Sequence, residues 1–462
     1  MQKQYNTAYL FGITLVATIG GLLFGYDTAV ISGAEKSIEA YLIKPLGLST
    51  LAHGATVSSA LIGCIIGGAI SGFMSNRLGR KNSLFIAGIL FFTTSLAAAY
   101  PEFLFFKKGE PSLGVLWAFN IYRVIGGIGV GMASAICPMY IGEIAPANIR
   151  GRMVSCNQFA IIFGMLVVYF VNWGIAKGQT VEWINEVGWR YMFASEAIPA
   201  GIFTLLILFV PETPRYLAMV NQDEKAVSVL TKIIGNKGKA EKILTEIKAT
   251  VTEKTNSNIF SYGKKVIIVG ILLSAFQQFV GINVALYYAP RIFESMGAAK
   301  DASMMQTIVM GLVNVVFTLI AIMTVDKWGR KPLLITGSIG MAIGMFAISG
   351  LAFFDIIGIS TLVFIIIYTA SFMMSWGPIC WVLIAEIFPN KIRGQAVAIA
   401  VATQWVANYL ISSTYPPMME FSSAMTYGFY GLMAVLSALF VWKVLPETKG
   451  TTLENMEKYW KK

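Results

Sequence analysis

Charged side chains are scarce in this sequence. Of its 462 residues, 13% are charged and 56% are hydrophobic, whereas soluble domains carry about 25% charged residues. This shortage excludes an ordinary soluble domain. The net charge of +11 is compatible with a nucleic-acid partner, but in a membrane protein it indicates basic loops on the cytoplasmic face. We therefore predict the lipid bilayer as a partner and no nucleic acid.

Reactive side chains are also few. The four cysteines, Cys64, Cys137, Cys156 and Cys380, fall in or at the edge of apolar segments without ligand-like pairing. We expect buried thiols there, with neither disulfide nor zinc site. The single histidine, His53, is expected at the outer mouth of the second apolar segment, without a role. No nucleophile–base pair or metal cluster can be assembled, so the sequence predicts no enzyme and no cofactor.

A nucleotide-binding loop is absent as well. The glycine-rich segment 126–131 has no strand before it and no Gly-Lys-Ser/Thr after it, so it resembles neither a dinucleotide loop nor a P-loop. Small residues that let membrane helices approach closely explain it better. An ATP-driven pump is therefore not predicted, and no nucleotide partner is expected.

Long apolar runs fill most of the chain. About 20 apolar residues are needed to cross a bilayer core about 30 Å thick. Twelve such runs occur, which predicts an all-α membrane protein; they lie at 9–31, 56–75, 84–100, 115–139, 154–174, 190–210, 266–289, 304–325, 333–353, 360–385, 395–414 and 425–445. The first run is too long for the apolar region of a signal peptide and has no cleavage site behind it, so we expect it to remain as span 1.

Basic residues in the short loops predict the orientation. They cluster after spans 2, 4, 8 and 10, which places both termini in the cytoplasm. The one long charged segment, 215–264, follows span 6. Its apolar residues recur at helical spacing, which predicts short amphipathic cytoplasmic helices.

The two halves of the chain repeat each other. Glu143 stands seven residues before Arg150, as Glu386 stands before Arg393, and Pro-Glu-Thr follows both span 6 and span 12. Parallel repeats of six helices are the architecture of major facilitator transporters. We therefore predict an N-terminal half at 1–214, a cytoplasmic helical linker at 215–264, a C-terminal half at 265–448 and a cytoplasmic tail at 449–462.

The repeated motifs place matched acids and arginines at the cytoplasmic helix ends. Arginine forms bidentate pairs with carboxylates, so we predict a gate that holds the inner side shut. The alternative is a topology signal with tight glycine turns, which requires no matched acids. The predicted gate residues are Arg80, Glu143, Arg150, Glu212, Arg330, Glu386, Arg393 and Glu447.

Several motifs together resemble the sugar porter family of the major facilitator superfamily. They are Gly-Gly-Leu-Leu-Phe-Gly-Tyr-Asp at 20–27, the basic turn at 77–81, Pro-Glu-Thr-Pro-Arg at 211–215, Gln-Gln-Phe-Val-Gly-Ile-Asn at 277–283 and Pro-Glu-Thr-Lys-Gly at 446–450. The resemblance covers essentially the whole chain. It implies a transporter in the cell inner membrane, working as a monomer, that imports a monosaccharide together with a proton.

Three ionisable residues lie clearly inside the predicted spans: Asp27, Arg123 and Glu196. Buried intramembrane charges are costly, so each is a functional hypothesis. Helix geometry places all three at a similar depth in the outer half of the bilayer. We predict that Asp27 pairs with Arg123, and that protonation of Asp27 releases Arg123 to Glu196. The alternative is a static ion pair that only orients helices.

Neutral amides in the spans form the predicted sugar site, because an amide both donates to and accepts from sugar hydroxyls without the cost of a charge. The alternative is that buried amides join helices. The residue-by-residue match with the family favours sugar binding at Gln158, Gln277, Gln278, Asn283, Trp381 and Gln404, with Asn314 and Gly377 as weaker candidates and Phe24, Tyr287 and Trp405 as an aromatic rim.

One position departs from the family. The xylose carriers of the family are expected to have a glutamine shortly after Gln158, where this chain has Met165. D-xylose is the substrate that the resemblance favours. D-glucose or another sugar, and passive facilitation in place of proton symport, stay open.

Overall fold

A computed structural model describes residues 5–103, 105–107, 109–146, 149–252, 259–295, 297–356, 358–389, 392–449 and 460. Throughout these residues the regular structure is helical, with no strand, and twelve helical segments are long and apolar enough to cross a membrane. The predicted all-α class and the predicted number of spans are both confirmed.

Most of the twelve spans are longer than their apolar runs. They are Thr7–Ile43, Thr50–Leu78, Arg80–Ala99, Leu113–Ile144, Arg150–Ala176, Val181–Phe209, Lys264–Tyr287, Lys300–Val325, Arg330–Phe353, Ser360–Ile384, Arg393–Phe421 and Ser423–Val444, numbered 1 to 12 below. Span 1 extends twelve residues beyond its predicted end at residue 31. This extension places Glu35 and Glu39 on a continuous helical segment.

The sharp turns between spans 2 and 3 and between spans 8 and 9 have the same construction. Gly79 and Gly329 have φ values of 91° and 92°, a conformation that disfavours a side chain. A Cβ at Gly79 would lie 2.2 Å from Glu212 Oε2, and one at Gly329 would lie 2.9 Å from Glu447 Oε2. Each glycine therefore reverses the chain and leaves room for a carboxylate at the start of the next helix.

Glycines also allow spans 2 and 4 to pack closely. A Cβ at Gly63 would lie 1.9 Å from the Val124 carbonyl oxygen, and one at Gly127 would lie 1.9 Å from the Ala60 carbonyl oxygen. Only a residue without a Cβ permits this approach. The close-packing interpretation of the glycine-rich segment 126–131 agrees with this contact.

Three helices follow span 6 on the predicted cytoplasmic side: Pro214–Met219, Asp223–Ile234 and Lys237–Thr252. The helix Asp223–Ile234 buries Ala226, Val229, Leu230 and Ile233, and the Ile233 carbonyl accepts from the Asn6 amide at 2.8 Å. The predicted amphipathic helices are therefore present. The division at 1–214, 215–264, 265–448 and 449–462 stays a prediction, and residues 450–459 and 461–462 of the tail lie outside the described residues.

One expectation about reactive side chains is wrong. Cys156 is exposed, because it lies near the start of span 5, whereas the other three thiols are buried; all four are free cysteines among the described residues. His53 lies in the first turn of span 2, which begins at Thr50, and is 1% exposed because the bundle packs around it.

Candidate functional site

Asp27 of span 1 and Arg123 of span 4 form a buried ion pair. Arg123 Nη1 lies 2.5 Å from Asp27 Oδ1, and the residues are 5% and 3% exposed, respectively. The Arg123 guanidinium also lies 5.2 Å from the centre of the Phe193 ring. Desolvation makes such a charge expensive unless it is paired, so a change of charge on Asp27 must be compensated nearby.

Glu196 of span 6 completes this cluster. It is 2% exposed and lies in side-chain contact with Asp27, within electrostatic reach of Arg123. Among the described residues, no hydrogen-bond donor reaches Asp27 Oδ2 or Glu196 Oε1, and both atoms are buried. Two buried carboxylates that share one site favour binding of a proton, and a shared proton would satisfy both oxygens. The cluster thus has the chemistry of a proton-binding site.

A chain of amides lies in the C-terminal half. Gln277 Nε2 donates to the carbonyl oxygens of Trp376 and Gly377, at 3.1 and 3.4 Å. Gln277 Oε1 accepts from Gln404 and also, at 3.3 Å, from Gln278. Spans 7, 10 and 11 are therefore joined at one point through Gln277.

The chain continues to Asn283, whose Nδ2 donates to Gln278 Oε1 at 2.5 Å. Span 7 is interrupted at Gly281, with φ of 89°, between the helices Lys264–Phe279 and Ile282–Tyr287. A Cβ at Gly281 would lie 2.8 Å from the Tyr430 ring. The interruption changes the direction of the helix that carries Asn283. Non-helical backbone at membrane depth is tolerated where neighbouring groups form hydrogen bonds with it.

Aromatic side chains lie near these amides. The Phe24 and Trp405 rings are 5.6 Å apart and belong to different halves. The Tyr287 hydroxyl accepts from Asn408 Nδ2 at 3.2 Å. Trp381 is half-buried and directly follows the Cys380 thiol, which lies 3.6 Å from Gln404 Nε2.

Two predicted sugar ligands make no hydrogen bond to the amide chain within the described part of the protein. Gln158 of span 5 is half-buried, and Asn314 of span 8 is 2% exposed with its Oδ1 lacking a donor. Met165 is 8% exposed. One polar residue was missed: Asn408 lies four residues after Gln404, on the same face of span 11, and this spacing was the available signal.

The cytoplasmic motifs form one cluster in each half. Arg80 Nη2 lies 2.9 Å from Glu143 Oε1, and the Thr213 hydroxyl donates to the same carboxylate at 2.7 Å. In the C-terminal half Arg330 Nη2 lies 3.0 Å from Glu386 Oε1, which also accepts from Thr448 on its other oxygen at 2.6 Å. Both arginines belong to the predicted gate set, and the partners within each cluster come from a single half.

The acids of the two Pro-Glu-Thr motifs do not pair with arginine side chains as predicted. Glu212 accepts from the backbone amides of Arg80 and Lys81, both at 3.1 Å. Glu447 accepts from those of Arg330 and Lys331, at 3.0 and 2.9 Å. Each carboxylate therefore binds the first free amides of a helix, where the helix dipole favours negative charge.

Glu212 and Glu447 occupy equivalent positions in the two halves, but they differ in burial, and their pKa values shift in opposite directions. Burial raises the pKa of Glu212 above its ordinary value, and backbone hydrogen bonds offset this only in part. Glu447 is less enclosed, so burial raises its pKa less, and amides of Lys449, Lys331 and Arg330 hold that pKa below its ordinary value.

Arg150 and Arg393 also depart from the prediction. Arg150 Nε donates to the Ala145 carbonyl at 3.4 Å, and the Arg393 guanidinium donates to the Phe388 carbonyl at 3.3 Å. Throughout the described parts of the chain, neither lies within 4.0 Å of a carboxylate oxygen. Each arginine follows the end of a helix, so the free carbonyls there are nearer than the acids.

Comparison with known proteins agrees with this arrangement. The family profile for "Sugar (and other) transporter" matches residues 13–460. The D-xylose-proton symporter of Escherichia coli (strain K12) is 52% identical over 100% of this chain and 97% of its own length. The glucose facilitated diffusion protein of Zymomonas mobilis is 38% identical over 100% of this chain and 99% of its own.

Solved structures lead to the same class. The inward-open conformation of the E. coli xylose transporter superposes with a TM-score of 0.89 at 52% identity, over 98% of this chain and 100% of that one. A proton:xylose symporter of the major facilitator superfamily, bound to 6-bromo-6-deoxy-D-glucose, gives 0.84 at 51%, over 99% and 100%. The molecule is thus a membrane transporter with the major facilitator fold, and not an enzyme. It belongs to the sugar transporter family, as the motifs predicted.

Proposed function

We propose that this protein imports D-xylose across the cell membrane together with a proton. The observation that carries the proposal is the buried cluster of Asp27, Arg123 and Glu196, in which two carboxylate oxygens lack a donor. A passive facilitator requires sugar contacts but no such titratable cluster. The E. coli relative named as a D-xylose-proton symporter supports both the sugar and the proton.

Coupling follows from the charge balance of the cluster. With Asp27 ionised, Arg123 is held between spans 1 and 4. A proton on Asp27 removes the charge that Arg123 neutralises, and Glu196 then becomes the partner of Arg123. Since spans 1, 4 and 6 all contribute, this exchange shifts their packing and biases the rocking of the two halves.

Sugar binding follows from polar atoms that the protein leaves unsatisfied. Gln404 Oε1, Asn314 Oδ1 and Trp405 Nε1 are buried without a partner. An unsatisfied buried group costs about 1–3 kcal/mol, and the neighbouring hydroxyls of a monosaccharide would satisfy several at once. The proposed ligands are Gln158, Gln277, Gln278, Asn283, Asn314, Gly377, Trp381 and Gln404, with Phe24, Tyr287 and Trp405 against the apolar face of the ring.

The two cytoplasmic clusters are proposed to hold the inner side shut when the outer side opens. In the observed state Arg80 and Glu143 bind each other within one half, and Arg330 and Glu386 bind each other within the other. A closed inner side would bring these clusters against each other. The proposal includes a monomer with both termini in the cytoplasm and an inner-membrane location.

Uptake by proteoliposomes tests the proposal. Labelled D-xylose and D-glucose are supplied under an imposed pH gradient, with and without a protonophore. Accumulation of D-xylose that the protonophore abolishes is expected. Equilibration without accumulation would instead make the protein a facilitator, and accumulation of D-glucose alone would correct the substrate.

The variant Met165→Gln sharpens the choice of sugar. It restores the glutamine that the xylose carriers are expected to have at this buried position of span 5. If Met165 lines the sugar site, the ratio of D-xylose to D-glucose uptake changes in this variant. The conservative variant Met165→Leu, which adds no polar group, serves as its control. An unchanged ratio in Met165→Gln would exclude Met165 from the site.

A further inference from the structure

Polar contacts join the two halves of the molecule on their outer side. Lys36 of span 1 pairs with Glu294, Thr50 of span 2 donates to Glu420 at 2.7 Å, and Lys300 donates to the carbonyl of Gln179 at 2.6 Å. All three are at least partly exposed and therefore screened by water. A fourth contact differs from them because its central carboxylate is buried.

That contact is made by Arg291, which lies on the short helix Ala289–Ser295 after span 7. Arg291 Nη2 lies 2.8 Å from Glu35 Oε2, and Nε lies 2.9 Å from Glu35 Oε1. The same guanidinium also binds Glu39. Glu35 is 0% exposed. One arginine of the C-terminal half is therefore clamped by two glutamates on successive turns of span 1.

His53 of span 2 is buried against the same glutamate. Its Nε2 lies 3.1 Å from the Glu35 carbonyl oxygen and 3.4 Å from Glu35 Oε2, so this nitrogen carries the hydrogen and donates to both. The edge of the Tyr288 ring covers the imidazole at 6.3 Å between centroids. The charged groups that face His53 are Glu35 and Glu39 of span 1, with Lys44 beyond Glu39, and Arg291 of the C-terminal half.

Water reaches the outer part of this group, at Glu39 and Arg291. A cleft of about 570 Å³ between the two halves is lined by Glu39 and Lys44 on one side and by Arg291 and Glu294 on the other. Although burial lowers the pKa of Arg291, Glu35 and Glu39 hold it above its ordinary value, so Arg291 stays charged. Of the described groups in this cluster, His53 is the one whose ordinary side-chain pKa, about 6.5, lies near neutral pH.

We propose that Arg291, Glu35, Glu39 and His53 form an outer latch, which holds the two halves together on the outer side and which external acid releases. The proposal rests on the proposed transport function, because it assumes that the halves separate on this side during the cycle. Opening carries Arg291 away with the C-terminal half, while the three other residues stay together on the N-terminal half.

The sign of the acid effect follows from this separation. Glu35 and Glu39 stay beside His53 in both states, whereas only the closed latch also places the positive charge of Arg291 beside the same glutamates. In the open latch Arg291 has left and water has entered, so protonation is easier. A proton on Glu35 or Glu39 also weakens the hold on Arg291. All three protonations therefore favour the open latch.

The distance between the outer ends of the halves measures the latch without sugar or gradient. Spin labels are placed at Leu113→Cys in span 4 and Phe353→Cys in span 9, both exposed and outside the latch, after replacement of the four native cysteines by serine. In Arg291→Ala the ratio of long to short distances is expected to rise about tenfold over the labelled parent. An unchanged ratio would overturn the latch.

Two further variants separate a specific latch from a general disturbance. The charge-reversed pair Glu35→Arg with Arg291→Glu should restore the short distance, because the attraction across the halves is rebuilt with opposite signs. Glu294→Gln removes the neighbouring half-exposed pair and should shift the ratio much less. Failure of the reversed pair in a folded protein, or an equal effect of Glu294→Gln, would contradict the assignment.

The acid response is tested in the labelled parent between pH 7.5 and pH 5.5. The long distance should gain population at pH 5.5, and His53→Gln, which keeps a donor to Glu35, should reduce that gain. Asp27→Asn with His53→Gln should show a smaller gain than Asp27→Asn alone, because any contribution of Asp27 to the equilibrium is absent from both proteins. A gain unchanged by His53→Gln, in the parent or in the Asp27→Asn background, would overturn the role of His53; neither result depends on transport.

Discussion

The two halves of the molecule have the same fold but different polar interiors. The N-terminal half buries charge, in Asp27, Arg123 and Glu196. The C-terminal half buries neutral amides, among them Gln277 and Gln404. Among the described residues, the buried charges therefore lie in the N-terminal half, whereas buried amides occur in both halves and form a hydrogen-bonded chain in the C-terminal one.

This difference separates two physical tasks. A titratable cluster changes its charge and can bias a conformational equilibrium, but it binds a neutral sugar poorly, because a buried charge is costly to leave unpaired. Amides bind hydroxyls without changing charge. With the two groups in different halves, the proton acts on the packing of spans 1, 4 and 6, and the sugar acts on the joint of spans 7, 10 and 11. Rocking of the two halves against each other couples the effect of the proton to the effect of the sugar.

The largest expected effect comes from removing the titratable group of the N-terminal half. In Asp27→Asn, accumulation of sugar against its gradient should disappear, because no proton is bound and released, while exchange of sugar across the membrane should continue. Uptake under a pH gradient and counterflow without one measure the two. Loss of both activities in a folded variant, or retention of both, would contradict the division of tasks.

A second buried ion pair of the same half provides a matched comparison. Arg190 of span 6 binds both oxygens of Glu102 in the loop after span 3, away from the proposed proton site. Glu102→Gln leaves Arg190 buried without a counter-charge and should lower the free energy of unfolding by about 3 kcal/mol. Coupling should be preserved. Chemical unfolding in detergent, together with uptake assays, checks this prediction.

The pH dependence of that pair has a definite sign. Burial raises the pKa of Glu102, but hydrogen bonds from Arg190 and Tyr41 outweigh it and hold the pKa below its ordinary value. The stability that Glu102 provides is therefore complete above its unfolded pKa of about 4.3 and is lost as the pH falls further. The difference between wild type and Glu102→Gln should shrink in that acidic range; a difference that grows there would be the wrong sign.

In the C-terminal half the amide joint is expected to control affinity. Gln277→Ala leaves Gln278 and Gln404 without the acceptor that they share. This variant should weaken D-xylose binding about tenfold or more, and each factor of ten in affinity corresponds to about 1.4 kcal/mol. Asn408→Ala is the control, because it removes only the hydrogen bonds to Tyr287 and Ser412. It should weaken D-xylose binding less than Gln277→Ala does. Tryptophan fluorescence titrations measure both, and equal losses would remove the special role of Gln277.

The smallest effect distinguishes the two cytoplasmic acids. The raised pKa of Glu212 means that ionisation favours the unfolded chain, so the stability of wild type relative to Glu212→Gln should fall as the pH rises through about 4.3. The lowered pKa of Glu447 means the reverse relative to Glu447→Gln. Thermal unfolding of the three proteins between pH 3 and pH 7 should give slopes of opposite sign, with the Glu447 effect below about pH 4.3 and the Glu212 effect above it. Slopes of the same sign would mean that burial does not distinguish these equivalent positions.

Repetition made part of the site predictable. The spacing of Glu143 and Glu386 is repeated in both halves, but each acid binds the arginine of the basic turn, Arg80 or Arg330, and not the arginine seven residues after it. The apolar runs similarly predicted twelve spans, because each is set by the thickness of the bilayer. The amide chain was predicted through the family motif at 277–283, whereas its joint to Trp376 and Gly377 depends on interruptions in two spans.

Other features depend on distance in space and left no local pattern. Glu212 binds the amides at the start of span 3 because a turn 132 residues earlier brings them there. Arg150 and Arg393 bind carbonyls because a helix end lies nearer than an acid. Glu35 and Arg291 are 256 residues apart, and Glu35 lies beyond the apolar run that predicted span 1. No periodicity could pair them.

The most direct test of the central claim is proton movement driven by sugar. Proteoliposomes without an imposed pH gradient receive D-xylose on one side, and a pH-sensitive dye reports the other compartment. The account predicts acidification on the side to which D-xylose flows, abolished in Asp27→Asn although labelled sugar still crosses. Sugar flux in the wild type without any proton flux would contradict coupling through the buried charges of the N-terminal half.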